Sequence, residues 1–399
     1  MSFLELFVLF LLAFDPQIPF LPNGVGFTFL LFFALLPVVL YRVAQKQGAL
    51  IFKHSAPLLF LFFISMAYIV GRLIFNQGQN VIFVLSLFKA FFVFGSIFFY
   101  FVVFYKDGIS DKFVACIAVV YATNAIFNFA SGTYPEYFVF FENFKSEVIS
   151  DSLGGNPYRN SFISGSGYFS IGSAYGLASL LVAYYIAKGK TINFLSSSAF
   201  VLICIAGFIA ARTSFFAIAG AVFYIFINRS FYSLYLGMIS ILVLSLVLLL
   251  PPLEPYVLWM QSFFVDFDTS SSASYLLNEM YFWPGMDVVL RGSGFVNDGA
   301  FIYTDAGYMQ DIMFGGVVFL FIKLLFVVIF FAAVSRVSFL FAFLFCASVL
   351  AFHFKGLFIY NNAQGMAIFY FTYFYFCSRE RVSDISPWSR QKLRRFALA

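Results

Sequence analysis

The chain has 399 residues, of which 62% are hydrophobic and only 10% charged, with 64 phenylalanines, a mean hydropathy of +0.94 and a net charge of +5. A soluble domain carries roughly 25% charged residues, so these charges cannot coat a water-facing surface. Lipid must solvate the apolar side chains, and the sequence reads as an all-α polytopic membrane protein. A disulfide-framed secreted domain is excluded, because Cys116, Cys204, Cys346 and Cys377 all lie in or beside apolar segments. With no cysteine in a loop, a zinc site is not indicated either, and the modest charge gives no reason to expect nucleic acid as a partner.

A membrane-crossing helix needs about 20 apolar residues. Breaks at charges, prolines and glycine-rich punctuation leave twelve apolar segments, at 2–14, 24–41, 56–75, 81–105, 113–130, 166–187, 194–211, 213–227, 233–250, 306–332, 337–354 and 356–377. The opening Met1-Ser2-Phe3-Leu4-Glu5 has no basic run, and no small-residue cleavage site follows. The first segment is therefore expected to be a retained span rather than a signal peptide. The expected organisation is five spans in 1–130, a long loop at 131–165, four spans in 166–250, a second long loop at 251–305, three spans in 306–377 and a basic tail at 378–399.

The basic residues orient these spans. With the N-terminus inside, the inner loops hold Arg42, Lys46, Lys53, Lys106, Lys112, Lys188, Lys190, Arg229 and Arg336. The tail adds Arg379, Arg381, Arg390, Lys392, Arg394 and Arg395. Both long loops then face out, and both are acidic: Glu136, Glu142, Glu147 and Asp151 in the first, Glu254, Asp266, Asp268, Glu279, Asp287, Asp298 and Asp305 in the second. Twelve spans with both termini inside satisfy the positive-inside rule; eleven would place the basic tail outside.

Eight cations fall outside this pattern: Arg72, Lys89, Lys145, Arg159, Arg212, Arg291, Lys323 and Lys355. Lys89 and Lys323 lie within the fourth and tenth segments, where an ionisable group costs at least a few kcal/mol and faces a cavity or a partner. Both are expected to snorkel or to form structural ion pairs. Arg212 sits at the tip of a tight bend, Ala211-Arg212-Thr213-Ser214, where it holds either a ligand anion or lipid headgroups. Arg159 lies in Pro157-Tyr158-Arg159-Asn160-Ser161-Phe162-Ile163-Ser164-Gly165-Ser166-Gly167, just before the sixth segment. Hydroxyls and glycines beside an arginine near a helix N-terminus suit an anion, which makes Tyr158 and Ser161 binding candidates. Arg291, followed by Gly292-Ser293-Gly294, is a third outward arginine. Three arginines in otherwise acidic outer loops suggest an oligophosphate ligand at the outer leaflet.

These stretches, with Gly292-Ser293-Gly294-Phe295, Thr304-Asp305-Ala306-Gly307-Tyr308 and Gly315-Gly316, resemble the Wzy-type O-antigen polymerases within the wider family of O-antigen ligases and polymerases. The resemblance implies a fold similar to C-type (GT-C) glycosyltransferases, with about twelve transmembrane helices and two large periplasmic loops, in the bacterial inner membrane. It implies transfer of a growing glycan from undecaprenyl diphosphate to the non-reducing end of the next lipid-linked repeat unit, with no metal or other cofactor. Lipid-linked oligosaccharide as donor and acceptor, membrane lipids and a chain-length regulator are the implied partners.

Guanidiniums can stabilise the diphosphate charge that develops as the glycan leaves, which points to Arg159 and Arg212, with Arg291 third. The acceptor hydroxyl needs a general base. The ligase branch carries a histidine motif at the start of the tenth span; Asp305 stands at the corresponding place here and is the candidate base, with Asp298 in reserve. Asp before an apolar run is also a standard helix cap. Tyr308 and Asp311 lie near the same helical face and are placed to line the site, unless Asp311 pairs with a neighbouring cation. His353 and Lys355, at a compact outer bend, either add to the phosphate-binding field or anchor the helix end. The aromatics Trp259, Tyr275, Tyr281, Phe282 and Trp283 suit sugar rings, and 256–265 reads as an amphipathic helix on the outer leaflet. Two competing readings remain: a ligase moving glycan to lipid A core, and a lipid-linked sugar flippase or secondary transporter. No internal repeat of the kind many transporters carry is evident.

Overall fold

The computed structural model describes residues 2–19, 21, 25–45, 48–75, 82–105, 109–144, 162–164, 167–189, 194–229, 231–232, 235–238, 276–294 and 304–384. Most of the ninth segment, the 256–265 helix, Tyr158, Arg159, Ser161, Trp259, Tyr275, Asp298 and the tail beyond 384 lie outside the described residues.

Among the described residues the protein is helical, with no β-strand. The helices are α1 (Phe3–Phe14), α2 (Phe27–Ala44), α3 (Ala49–Phe75), α4 (Ile82–Phe104), α5 (Lys112–Thr133), a single turn α6 (Val139–Glu142), α7 (Tyr168–Lys188), α8 (Phe194–Ala210), α9 (Phe215–Asn228), the short α10 (Met286–Arg291), α11 (Gly307–Val334), α12 (Phe339–Lys355) and α13 (Ala363–Asp384). Six of them, α2, α3, α4, α5, α7 and α11, are long and apolar enough to cross a membrane. The described part of the chain is all-helical, and its long apolar helices mark a membrane-embedded protein.

Composition decides which helix sits where. In α7, 83% of the apolar stretch is buried inside the protein; in α2 only 11% is, so α2 presents its leucines and phenylalanines to lipid. Helix α7 packs against α5, α8, α9, α12 and α13. Apolar burial drives little association in lipid, so close packing of small residues takes its place. A Cβ on Gly172 would stand 2.5 Å from the Ala211 Cβ, and one on Gly207 would stand 2.9 Å from the Tyr175 Cβ. Larger side chains there would push α7 off α8 and the turn that follows it. Aromatic rings fill the remaining core, as where Phe330 stacks on Phe345 at 4.6 Å.

The structure corrects three sequence boundaries. Helix α3 starts at Ala49, so Lys53 and His54 lie in its first turns rather than in a loop. The twelfth segment does not become helical at 356: residues 356–362 are irregular and α13 begins at Ala363. Tyr360 adopts φ 73° and its hydroxyl lies 2.5 Å from the Ser65 hydroxyl, while the Asn362 Oδ1 accepts the Gly365 N–H at 2.8 Å and so caps α13. Asp305 is not the cap of α11, because Ala306 occupies that position. The third correction follows from the loop: Thr304 Oγ1 accepts the Ala306 N–H at 3.1 Å and Thr304 O accepts from the Gln310 side chain at 2.7 Å.

Helix α11 is broken at Gly316, whose φ of 68° and ψ of −172° belong to a region essentially reserved for glycine. Gly316→Ala should therefore lose roughly 1–3 kcal/mol from backbone strain, and more because its Cβ would meet Leu290 O at 2.5 Å. Gly71→Ala, in open space inside α3, should be neutral or stabilising by up to about 1 kcal/mol. Thermal unfolding in detergent checks both; an unchanged Tm for Gly316→Ala would contradict the break.

Candidate functional site

The two long loops leave the bundle at the end where α5 stops and where α7 and α11 start. Several elements meet there. Gly307 packs so tightly on the end of α12 that a Cβ would stand 2.3 Å from His353 O and 2.4 Å from Gly356 O. Gly356 in turn faces the Phe169 ring of α7. The 212–214 turn packs on α7 and α12, with Ser214 O and the Phe352 ring both beside Gly176. Part of the second long loop folds back on the same rim. Thr304 Oγ1 donates to Met280 O at 2.8 Å, Tyr281 stacks on Phe354 at 4.6 Å, and the Tyr281 hydroxyl donates to Phe354 O at 2.7 Å. Burial, with a smaller contribution from Tyr308, raises the Tyr281 phenol above its ordinary value and keeps it a donor.

The rim brings together Asp305, Tyr308, His353 and Lys355. Asp305 is exposed and lies within electrostatic reach of Lys355. Tyr308 is half-buried; its ring meets His353 edge-on at 4.8 Å and its hydroxyl donates to Leu350 O at 3.1 Å. Arg212 is partly buried in the 3₁₀ turn Arg212–Ser214, beside the end of α12. Arg291 closes α10 with an exposed side chain, away from Gly307 along α11 and beside Gly316.

Beneath the rim lies a buried charge network. Asp311 Oδ1 accepts from Lys323 Nζ at 2.6 Å, and Asp311 Oδ2 lies 2.8 Å from His353 Nε2; all three side chains are 0% exposed. His353 Nδ1 accepts the Phe358 N–H at 3.2 Å, so the ring proton is on Nε2 and is donated to Asp311. The Lys323 ammonium sits among the rings of Phe83, Phe319 and Tyr360, 5.4, 5.0 and 5.4 Å from their centroids, an arrangement that stabilises a cation. Thus Asp311 takes the ion-pair alternative, with Lys323 as its partner. Lys89 likewise pairs, with Asp15 at 3.9 Å. His353 does not add an exposed cation to the rim: both of its nitrogens are engaged.

The network exists because α11 is broken. Along a straight helix, residues twelve apart stand about 18 Å from each other, further than these two side chains reach. The break strands backbone carbonyls, and three of them have donors outside the helix. Met313 O accepts from the Ser293 N–H at 2.6 Å and from Ser293 Oγ at 2.9 Å. Phe314 O accepts from the Gly294 N–H at 3.0 Å and from Arg72 at 3.3 Å, and Gly315 O accepts from the Tyr68 hydroxyl at 2.5 Å. Arg72 also donates to Arg291 O and, at 3.2 Å, to Gly292 O. Sequence reasoning flagged Arg72 only as a displaced cation and missed Tyr68 altogether. The adjacent glycines at 315 and 316 were the available signal.

A cavity of about 170 Å³ lies at the opposite end, lined by Asp111, Lys188, Ser196 and Tyr232 among others; none of the expected site residues borders it. Comparison with known proteins gives no matching family model, no similar curated protein and no similar solved structure.

Arg72→Ala should strip a donor from the Arg291 and Gly292 carbonyls, at about 1–3 kcal/mol for each that is left buried and unsatisfied, while Phe314 O keeps the Gly294 N–H. Lower Tm in detergent, with partial recovery in Arg72→Lys, is the expected result; a wild-type Tm in Arg72→Ala would remove Arg72 as the support of the break.

Proposed function

We propose that the chain is a polysaccharide polymerase of the bacterial inner membrane, a twelve-span C-type glycosyltransferase with its site facing the periplasm and both termini in the cytoplasm. The observation that carries this reading is the clustering of Asp305, Tyr308 and Lys355 where α11 starts and α12 ends, with the Arg212–Ser214 turn packed on that same helix α12. The residue-level likeness of these stretches to Wzy-type polymerases supplies the reaction. Arg212, with Arg159, holds the diphosphates of lipid-linked donor and acceptor; Arg291, beside Gly316 rather than at the rim, is left out of the clamp. The bond between the donor's anomeric carbon and the diphosphate oxygen breaks as the acceptor oxygen attacks that carbon. The guanidiniums stabilise the charge on the departing undecaprenyl diphosphate, and Asp305, exposed on the rim, takes the proton of the acceptor hydroxyl. A chain-length regulator is the expected protein partner.

A second reading has one observation in its favour. Broken helices that carry buried ionisable groups build the substrate sites of secondary transporters, and α11 with Asp311 and Lys323 has that form. Deleting the gene and running extracted surface glycans on a gel separates the readings. A single repeat unit in place of a ladder supports the polymerase. Loss of surface glycan with long lipid-linked chains accumulating makes the protein a ligase, and an unchanged ladder favours the transporter.

On complementation, Arg159→Ala and Arg212→Ala should each abolish the ladder while protein stays in the membrane; normal polymer with both would remove the diphosphate clamp. Asp305→Asn should still bind lipid-linked substrate but lose turnover, and full activity would remove it as the base. Elongation in membranes should survive EDTA; loss restored by a divalent ion would contradict a cofactor-free mechanism.

A further inference from the structure

We infer that Asp311, Lys323 and His353 are positioning residues for the transfer reaction, setting the geometry of the rim without touching substrate; this rests on the polymerase reading. Asp311 is the pivot. It stands on the half of α11 above the break and is tied by one oxygen to Lys323 below it and by the other to His353 of α12. The upper half of α11 is thereby fixed against both the lower half and the neighbouring helix. His353 is held on two edges, by Asp311 at Nε2 and by the Phe358 N–H at Nδ1. Tyr308 packs against the face so fixed, and its hydroxyl returns to Leu350 of the same helix. Asp305 lies three residues before Tyr308, and Lys355 two residues after His353. Any shift of the network moves all three rim side chains.

Stability alone does not call for these residues. Replacing a buried ion pair by apolar side chains of similar volume is often neutral or stabilising. An ionisable group within a membrane span is by default a candidate for function. His353 is ruled out as the proton acceptor, since it has no exposed surface and no unoccupied ring nitrogen. The exposed Asp305 is left as the chemical group, and the triad as the frame that aims it.

The test is the charge-neutral double variant Asp311→Asn/Lys323→Met, because either single change leaves a lone buried charge. With purified lipid-linked repeat units, KM and binding of undecaprenyl diphosphate should stay at wild-type values. The kcat should fall roughly a hundredfold, the loss that a displacement of about 1 Å produces. A wild-type kcat in membrane-inserted double variant would overturn the inference. Should the double variant fail to insert, His353→Gln, which keeps the Asp311–Lys323 pair, is expected to show the same kcat loss with unchanged KM; a wild-type kcat there would overturn it equally. A readout independent of activity is available because the chain has only two histidines. In a His54→Gln background, ¹⁵N-histidine NMR should show His353 as a single Nε2–H tautomer, set by the Phe358 N–H at Nδ1; the double variant should keep that tautomer but move its Nε2–H proton resonance upfield as the bond to the carboxylate is lost. An unchanged Nε2–H resonance would show that Asp311 does not hold the ring. A wild-type protein that elongates nothing would sink the polymerase reading, whereas the NMR result decides separately whether the triad fixes the rim.

Discussion

Asp311 and Lys323 lie on one helix, twelve residues apart, yet their charged atoms are 2.6 Å from each other. The end of the molecule that bears both long loops is organised around that contact. Taking two charges out of water costs several kcal/mol per ion even after relaxation. Here the cost is offset by a short, direct pair, by His353 on the second carboxylate oxygen and by three aromatic rings around the ammonium. The pair forms only if α11 bends, and α11 bends only where glycine permits the backbone that Gly316 adopts.

A break in a lipid-embedded helix is tolerated only when the freed backbone groups are buried in protein and find new partners. Tyr68 and Arg72 of α3, together with the 292–294 turn, supply those partners. The packing is close: a Cβ on Gly292 would stand 2.6 Å from both the Gly316 nitrogen and Phe314 O. Two regions far apart in sequence, one before the first long loop and one within the second, are therefore committed to the same few atoms of α11. Helix α7 performs a comparable service on the other side, where its glycines let the Arg212 turn approach the end of α12.

Much of this was legible in the sequence, in a graded way. Apolar run length located most of the long described helices within a few residues, because burial in lipid acts on every residue of a span, but α3 starts seven residues earlier than its apolar run. Run length failed where local hydrogen bonds override hydropathy: the apolar Leu357-Phe358-Ile359 run reads as the start of a span, but the Phe358 N–H, the Tyr360 hydroxyl and the Asn362 cap draw the chain out of helix. Lys323 was conspicuous as a charge in an apolar run, yet its partner was hidden. At about 100° per residue, positions 311 and 323 fall on different faces of a regular helix, so periodicity argues against the pair that the break creates. Arg72 and Tyr68 were harder still, because they act on main-chain carbonyls, and carbonyls leave no mark in a sequence. Asp305 and Tyr308 were singled out through the resemblance at the start of the apolar run, since an Asp at that position is by itself an ordinary helix cap.

The structure holds a fully buried charge network and, above it, a rim with an exposed acid, a half-buried phenol and a partly buried ammonium. This division suits a reaction in which large, lipid-linked substrates enter from the membrane while their sugars meet at its surface. The most direct measurement is reconstitution of the purified protein in liposomes with undecaprenyl-diphosphate-linked repeat units as the sole substrate. The account expects a ladder of products lengthening by whole repeats, with one undecaprenyl diphosphate released per addition and no nucleotide sugar present. Repeat units that cross the bilayer without lengthening, or that remain unchanged, would contradict it.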